Sequence, residues 1–167
     1  LGEGGKAEAP VLVHRCAGRY RVGPAAAAAH RFQGPLPALT DPDIETGVHE
    51  LHFGADVLVP DLAGWRIEEA PPDLAAAHYE QPPTWLCEVV SPSSGRHDRV
   101  RKLPLYARAG MAWAWLLDPL QETLEVFQQR DASWLLAGTF GGDDTVRAAP
   151  FDAIELELSA LWLRNFR

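Results

Sequence analysis

The stretch Trp85-Leu-Cys-Glu-Val-Val90 constrains the fold more than any other in this chain. A half-exposed strand alternates apolar and polar residues, whereas this run is apolar at every position but Glu88. It therefore reads as a strand covered on both faces, in the middle of a layered sheet. The exception is as informative as the rule. An ionised carboxylate in such a strand is costly unless something pairs with it.

Other elements follow from local signals. Glu50–Phe53 reads as a strand, Gly54-Ala55 as a turn, and Asp56–Trp65 as a second strand in which Pro60 marks an edge or bulge. Pro71–His78 reads as a short helix opened by prolines. Ser91-Pro-Ser-Ser-Gly95 ends the apolar strand. A helix follows from Asp98 to Ala109, closed by Gly110 and kinked or restarted by Pro104. Asp98, or the serines at 91 and 93, would cap it. Three strands then follow, Ala112–Leu117, Thr123–Gln128 and Trp134–Thr139. The Gly141-Gly-Asp-Asp144 turn leads to a short strand at Thr145–Arg147. Strands with one or two helices on a sheet give an α/β or α+β class.

Residues 1–48 differ in composition, with seven Gly, five Pro and nine Ala. A hairpin pairing Val11–Val13 with Arg19–Val22 and a helix over Ala25–Phe32 are the elements expected there. The whole chain of 167 residues suits one domain. Its first residue is Leu1 rather than Met, as in a fragment or processed form. Two cysteines, Cys16 and Cys87, make neither a disulfide framework nor a metal site, so a reducing cytoplasm is the expected compartment. No apolar run is long enough for a membrane span.

A second carboxylate accompanies Glu88. Asp61 follows Pro60 in the apolar stretch Val57-Leu-Val-Pro-Asp-Leu-Ala. Each acid alone reads first as a half-buried strand residue facing solvent or paired with an arginine. Two in neighbouring apolar strands are what a hard dication needs, since Mg²⁺ takes carboxylate, carbonyl and water oxygens and supports phosphodiester hydrolysis. Glu50 is either a third acid near them or a plain strand residue. His49-Glu-Leu-His52 lacks the spacing of a zinc-binding helix. The six tryptophans read as core, with Trp65 of interest for its closeness to Asp61.

These residues carry a resemblance. Pro60-Asp61 with Glu88-Val-Val is similar to the motif of the PD-(D/E)XK nuclease superfamily. The string Glu88-Val-Val-Ser-Pro-Ser-Ser-Gly-Arg-His-Asp98-Arg-Val-Arg-Lys102-Leu-Pro-Leu-Tyr106-Ala-Arg-Ala-Gly110, with Trp115-Leu-Leu-Asp118-Pro119, resembles the Uma-type restriction endonuclease family. The likeness runs from about Glu50 to Trp162, within a domain taken as 49–167. Residues 1–48 match poorly and are taken as part of the same domain. The resemblance implies a restriction endonuclease-like core, a central mixed β-sheet flanked by helices. It implies an endonuclease that hydrolyses DNA with Mg²⁺, or Mn²⁺ in its place, and that forms a homodimer. Asp61 and Glu88 would bind the metal with the Val89 carbonyl as third ligand.

One departure matters. In the superfamily a lysine lies two residues after the glutamate, on the same face of the strand. Here that residue is Val90. The resemblance assigns the role to Lys102 on the following helix, where it would position water or stabilise the phosphorane. By spacing alone Lys102 is a solvated helix lysine that shares a face with Arg99 and Tyr106. Arg99, Arg101 and Tyr106 are the expected substrate contacts.

Charge placement bears on the same point. The net charge of −8 excludes a broadly basic nucleic-acid binder. Ser94 to Gly110 carries +4, which leaves −12 on the rest of the chain. Two other readings stand beside the nuclease. One is a nuclease-fold module without turnover that binds nucleic acid or a protein partner, motivated by Val90 and the atypical N-terminus. The other is a structural homodimer whose acids are merely paired.

Overall fold

Strand β6 (Trp85–Val89) lies at the centre of the molecule, and all five of its residues are buried. The computed structural model describes residues 11–15, 50–66, 76 and 78–162. A six-stranded sheet runs in the order β1 (Val11–Arg15), β4 (Leu62–Arg66), β6, β7 (Trp113–Asp118), β8 (Thr123–Arg130) and β9 (Ser133–Gly141). Only β6 and β7 are parallel; the other neighbours are antiparallel, so the sheet is mixed. A parallel pair needs a crossover connection, and here that connection carries the helical segment. A smaller sheet joins β2 (Glu50–Phe53), β3 (Asp56–Leu58) and β5 (His78–Tyr79). Near the C-terminus β10 (Thr145–Val146) pairs with β11 (Leu156–Glu157).

The period-two alternation of β6 sorts its side chains into two cores. Trp85, Cys87 and Val89 pack with Trp115, Leu117 and the C-terminal residues Phe151, Leu158 and Trp162. Leu86 packs with Val90, Leu103, Tyr106 and Met111 under the helix. Glu88 falls between Leu86 and Val90, so the same alternation aims it at the helix.

That helix starts earlier than expected and changes pitch. Gly95–His97 (α1) is α-helical, Asp98–Lys102 is a π-helical stretch, and Leu103–Arg108 (α2) is α-helical again. The Leu103 amide donates to the Asp98 carbonyl, the i→i+5 bond of a π-helix. Pro104 explains the widening. It offers no N–H to the Val100 carbonyl, and its ring would crowd that carbonyl in a tight turn. Gly95 lets the helix approach the sheet, since a Cβ there would meet Val90 Cγ1 at 2.9 Å. The apolar Val90 thus forms the seat of the helix. On the far side Trp134 Nε1 of β9 donates to the Leu103 carbonyl at 2.7 Å. Gly110, with φ of +87°, ends the segment as expected.

Three expectations change. Asp56–Trp65 is two strands in two sheets, broken at Val59-Pro60-Asp61, where proline removes a ladder donor. Asp98 lies inside the helical segment rather than capping it. The Ser91 hydroxyl instead accepts from the Ser94 amide at 3.1 Å. Val11–Arg15 pairs with β4, and the expected partner Arg19–Val22 lies outside the described residues, as does the Ala25–Phe32 helix. His78 belongs to a strand, while 71–75 of the expected helix is not described.

Candidate active site

Asp61 occupies the corner where β4 leaves the main sheet. The β4–β6 register places Leu62 opposite Cys87, and the backbone pairing stops there. Val89 would then lack an acceptor for its amide. The Asp61 side chain supplies one, with Oδ2 accepting from the Val89 N–H at 2.7 Å. Burial raises the Asp61 pKa above the usual carboxylate range, while the Val89 amide and the Lys102 charge act to lower it.

Glu88 is 1% exposed and is held by the helix. Lys102 Nζ donates to both its oxygens at 3.0 Å, and the Tyr106 hydroxyl donates to Oε1 at 2.5 Å. Burial lifts the Glu88 pKa to about 8; Lys102 pulls it down, Asp61 pushes it up, and Tyr106 pulls it down. Burial on its own would lower the Lys102 pKa, but the charges of Glu88, Asp98 and Asp61 outweigh it and the pKa is raised. Lys102 also lies 3.4 Å from the Val59 carbonyl and 3.5 Å from Asp98 Oδ1. Lys102 is therefore not a solvated lysine.

The remaining candidates divide. Tyr106 is buried, with its ring in the core, so its reach into the site is the hydroxyl on Glu88. Arg99 does not reach Glu88; its guanidinium pairs with Glu125 on β8, which is in register with Glu88 across β7. Arg101 is exposed. The basic segment thus offers less free charge than its sequence suggests, since Lys102 and Arg99 are engaged and the exposed cations left are Arg96, Arg101 and Arg108. Glu50 hydrogen-bonds His52 at 2.8 Å on the small sheet, the plain strand role. Trp65 is fully buried against Tyr79 and offers no face to a base. Cys87 is a buried thiol with its pKa pushed well up by burial.

Asp98 was missed as a site residue. It is 2% exposed and faces Lys102. The i, i+4 spacing to Lys102 was the available signal, and reading Asp98 as a cap obscured it.

Hard oxygen donors in a low-dielectric setting suit Mg²⁺ or Mn²⁺. Two carboxylates with raised pKa values are groups that a dication would favour in their ionised form. Among the described residues no group of three or more His, Cys, Asp or Glu could hold a metal ion. Asp61 and Glu88 would need a backbone carbonyl and water to complete a shell, which agrees with Mg²⁺ retaining several waters. The Val89 carbonyl belongs to the strand residue whose amide already anchors Asp61.

Comparison with known proteins follows the same lines. The family described as "Uma2: Putative restriction endonuclease" matches residues 42–160. No curated protein matches the chain. A crystal structure of a putative nuclease belonging to DUF820 from Anabaena variabilis is similar in fold, with a TM-score of 0.65 at 19% identity, covering 85% of this chain and 82% of that one. The restriction endonuclease-like α+β core is thereby established, with a single helical crossover on its mixed sheet among the described residues.

Proposed function

We propose, for a chain that belongs to the Uma2 family of putative restriction endonucleases, a Mg²⁺-dependent endonuclease that hydrolyses phosphodiester bonds in DNA. The observation that carries this reading is the convergence of a sheet-buried Glu88 with Lys102 and Tyr106 from one helical segment, beside Asp61 at the corner before β4. Mg²⁺, or Mn²⁺ in its place, would be held by Asp61, Glu88 and the Val89 carbonyl. Bound there, it would lower the pKa of water and offset charge on the phosphate. Lys102 would orient the attacking water or hold a non-bridging phosphate oxygen. Tyr106 fixes the Glu88 carboxylate. Arg101, exposed on the same helical segment, would meet the DNA backbone, with Arg99 in support.

A homodimer is part of the proposal. Among the described residues strand β9 is an outer edge, nine residues long and without a charged side chain, and Leu135 and Leu136 are about half exposed on it. Edge strands are normally guarded by charge or proline, so a second copy is the expected cover. No helix among the described residues is long and apolar enough to cross a membrane. The proposal places the chain in the cytoplasm, with its DNA substrate.

The binding-module alternative draws on one observation, that Lys102 already engages both oxygens of Glu88. The two readings separate on supercoiled plasmid. An endonuclease nicks it with Mg²⁺ or Mn²⁺ and stops with chelator or on Asp61→Asn substitution. Equal residual nicking by both proteins removes the enzyme reading.

A further inference from the structure

The proposed chemistry requires a cation on Glu88, yet Glu88 already carries one. Lys102 Nζ sits among four oxygens, both of Glu88 at 3.0 Å, the Val59 carbonyl at 3.4 Å and Asp98 Oδ1 at 3.5 Å. An oxygen-lined position of this kind suits a hard cation, and an ammonium fills it here. A dication on Glu88 would compete for the same lone pairs and repel the ammonium. Lys102 cannot simply retreat to water, because its side chain is 13% exposed. Asp98, whose Oδ1 lies 3.5 Å away, is the carboxylate besides Glu88 that forms an ion pair with it. It is buried, belongs to the same helical segment, and stands one turn before Lys102.

We infer that Asp98 is a positioning residue that receives Lys102 when a metal ion takes Glu88. The lysine exchanges one carboxylate for another and stays beside the site. Its charge remains offset next to the dication, and its ammonium remains available to a phosphate. This role rests on the metal-dependent reading above. It gives a buried acid a task that helix capping does not.

The test is metal binding without DNA, read by isothermal titration calorimetry with Mg²⁺ and with Mn²⁺. The full chain is compared with Asp98→Asn, Lys102→Met and the double variant, each checked for folding by circular dichroism. Lys102→Gln replaces Lys102→Met if the latter does not fold. Asp98→Asn is expected to weaken binding by about 10- to 100-fold, the range for losing an outer partner of a metal site. Lys102→Met is expected to bind at least as tightly as the natural chain, its competitor being gone. In that background Asp98→Asn should change affinity by no more than about twofold, the scatter of independent sites. An equal loss with and without Lys102 means Asp98 acts on the metal directly and overturns the inference, as does no loss in the natural background. If the natural chain binds neither ion, the metal-dependent reading itself falls.

Discussion

Glu88 should make the protein less stable as the pH rises, and replacing it with glutamine should remove that dependence. The folded-state pKa of about 8 stands above the ordinary 4.5. Between those values the folded chain holds a proton that the unfolded chain has released. Stability from this group is therefore fully present below 4.5 and is lost as the pH rises through about 8. A change from 4.5 to about 8 corresponds to roughly 5 kcal/mol at ~1.4 kcal/mol per tenfold change in acidity. The contacts from Lys102 and Tyr106 are already contained in that value. For a domain of this size the loss converts to roughly 10–20 °C in Tm. Thermal melts of the natural chain and Glu88→Gln from pH 4 to pH 9 give the difference curve. The slope of the difference reports Glu88 together with its coupling to Lys102 and Asp61, whose own titrations it influences. Saturating Mg²⁺ should flatten the natural chain's slope, because a dication favours the ionised form. Parallel stability curves for the two proteins would show that burial of Glu88 is not what governs its protonation.

Three further outcomes are expected. Asp61→Ala should cost about 1–3 kcal/mol in urea unfolding, because the Val89 amide loses its acceptor; Asp61→Asn should keep most of that stability while still abolishing metal-dependent nicking, which separates the structural role from the chemical one. Arg101→Ala should reduce the salt dependence of DNA binding by about one phosphate contact, whereas Arg99→Ala should change it less because Arg99 is paired with Glu125; fluorescence anisotropy across a salt series reads both. Leu136→Lys should convert a dimer formed through β9 to monomer in sedimentation velocity, and an unchanged dimer would move the contact elsewhere.

The central strand was legible because its signal is local. An apolar run with one acid has few places to go, and β6 lies where the pattern put it, with Glu88 turned to the helix by simple alternation. The helix was legible as a helix, but its pitch was not. Pro104 announced an irregularity, while the π-helical stretch that carries Asp98 and Lys102 depends on how the ring meets the preceding turn. Arg99 pairs with Glu125 on β8 rather than joining Lys102 and Tyr106 on Glu88. The break at Pro60 was read as an edge or bulge within one strand. It is a switch between sheets, which depends on what lies beyond the corner rather than on the five residues around it. Asp61 was found by its company, yet its bond to the Val89 amide depends on where the β4–β6 pairing ends. The basic segment was overcounted because charge in a sequence does not reveal its partners. Glu125 lies 26 residues from Arg99 and Glu88 lies 14 from Lys102, and the packing of the helical segment on the sheet brings them together.

The most direct test of the account is single-turnover nicking of supercoiled DNA by the natural chain and by Glu88→Gln, with Mg²⁺ and with chelator. Glu88 is where burial, Lys102, Tyr106 and the proposed metal meet. The account predicts nicking that requires the metal and falls by more than about 100-fold in Glu88→Gln, beyond the loss expected for an outer partner of a metal site. Metal-dependent nicking that survives in a folded Glu88→Gln protein, or a natural chain no faster with Mg²⁺ than with chelator, would contradict it.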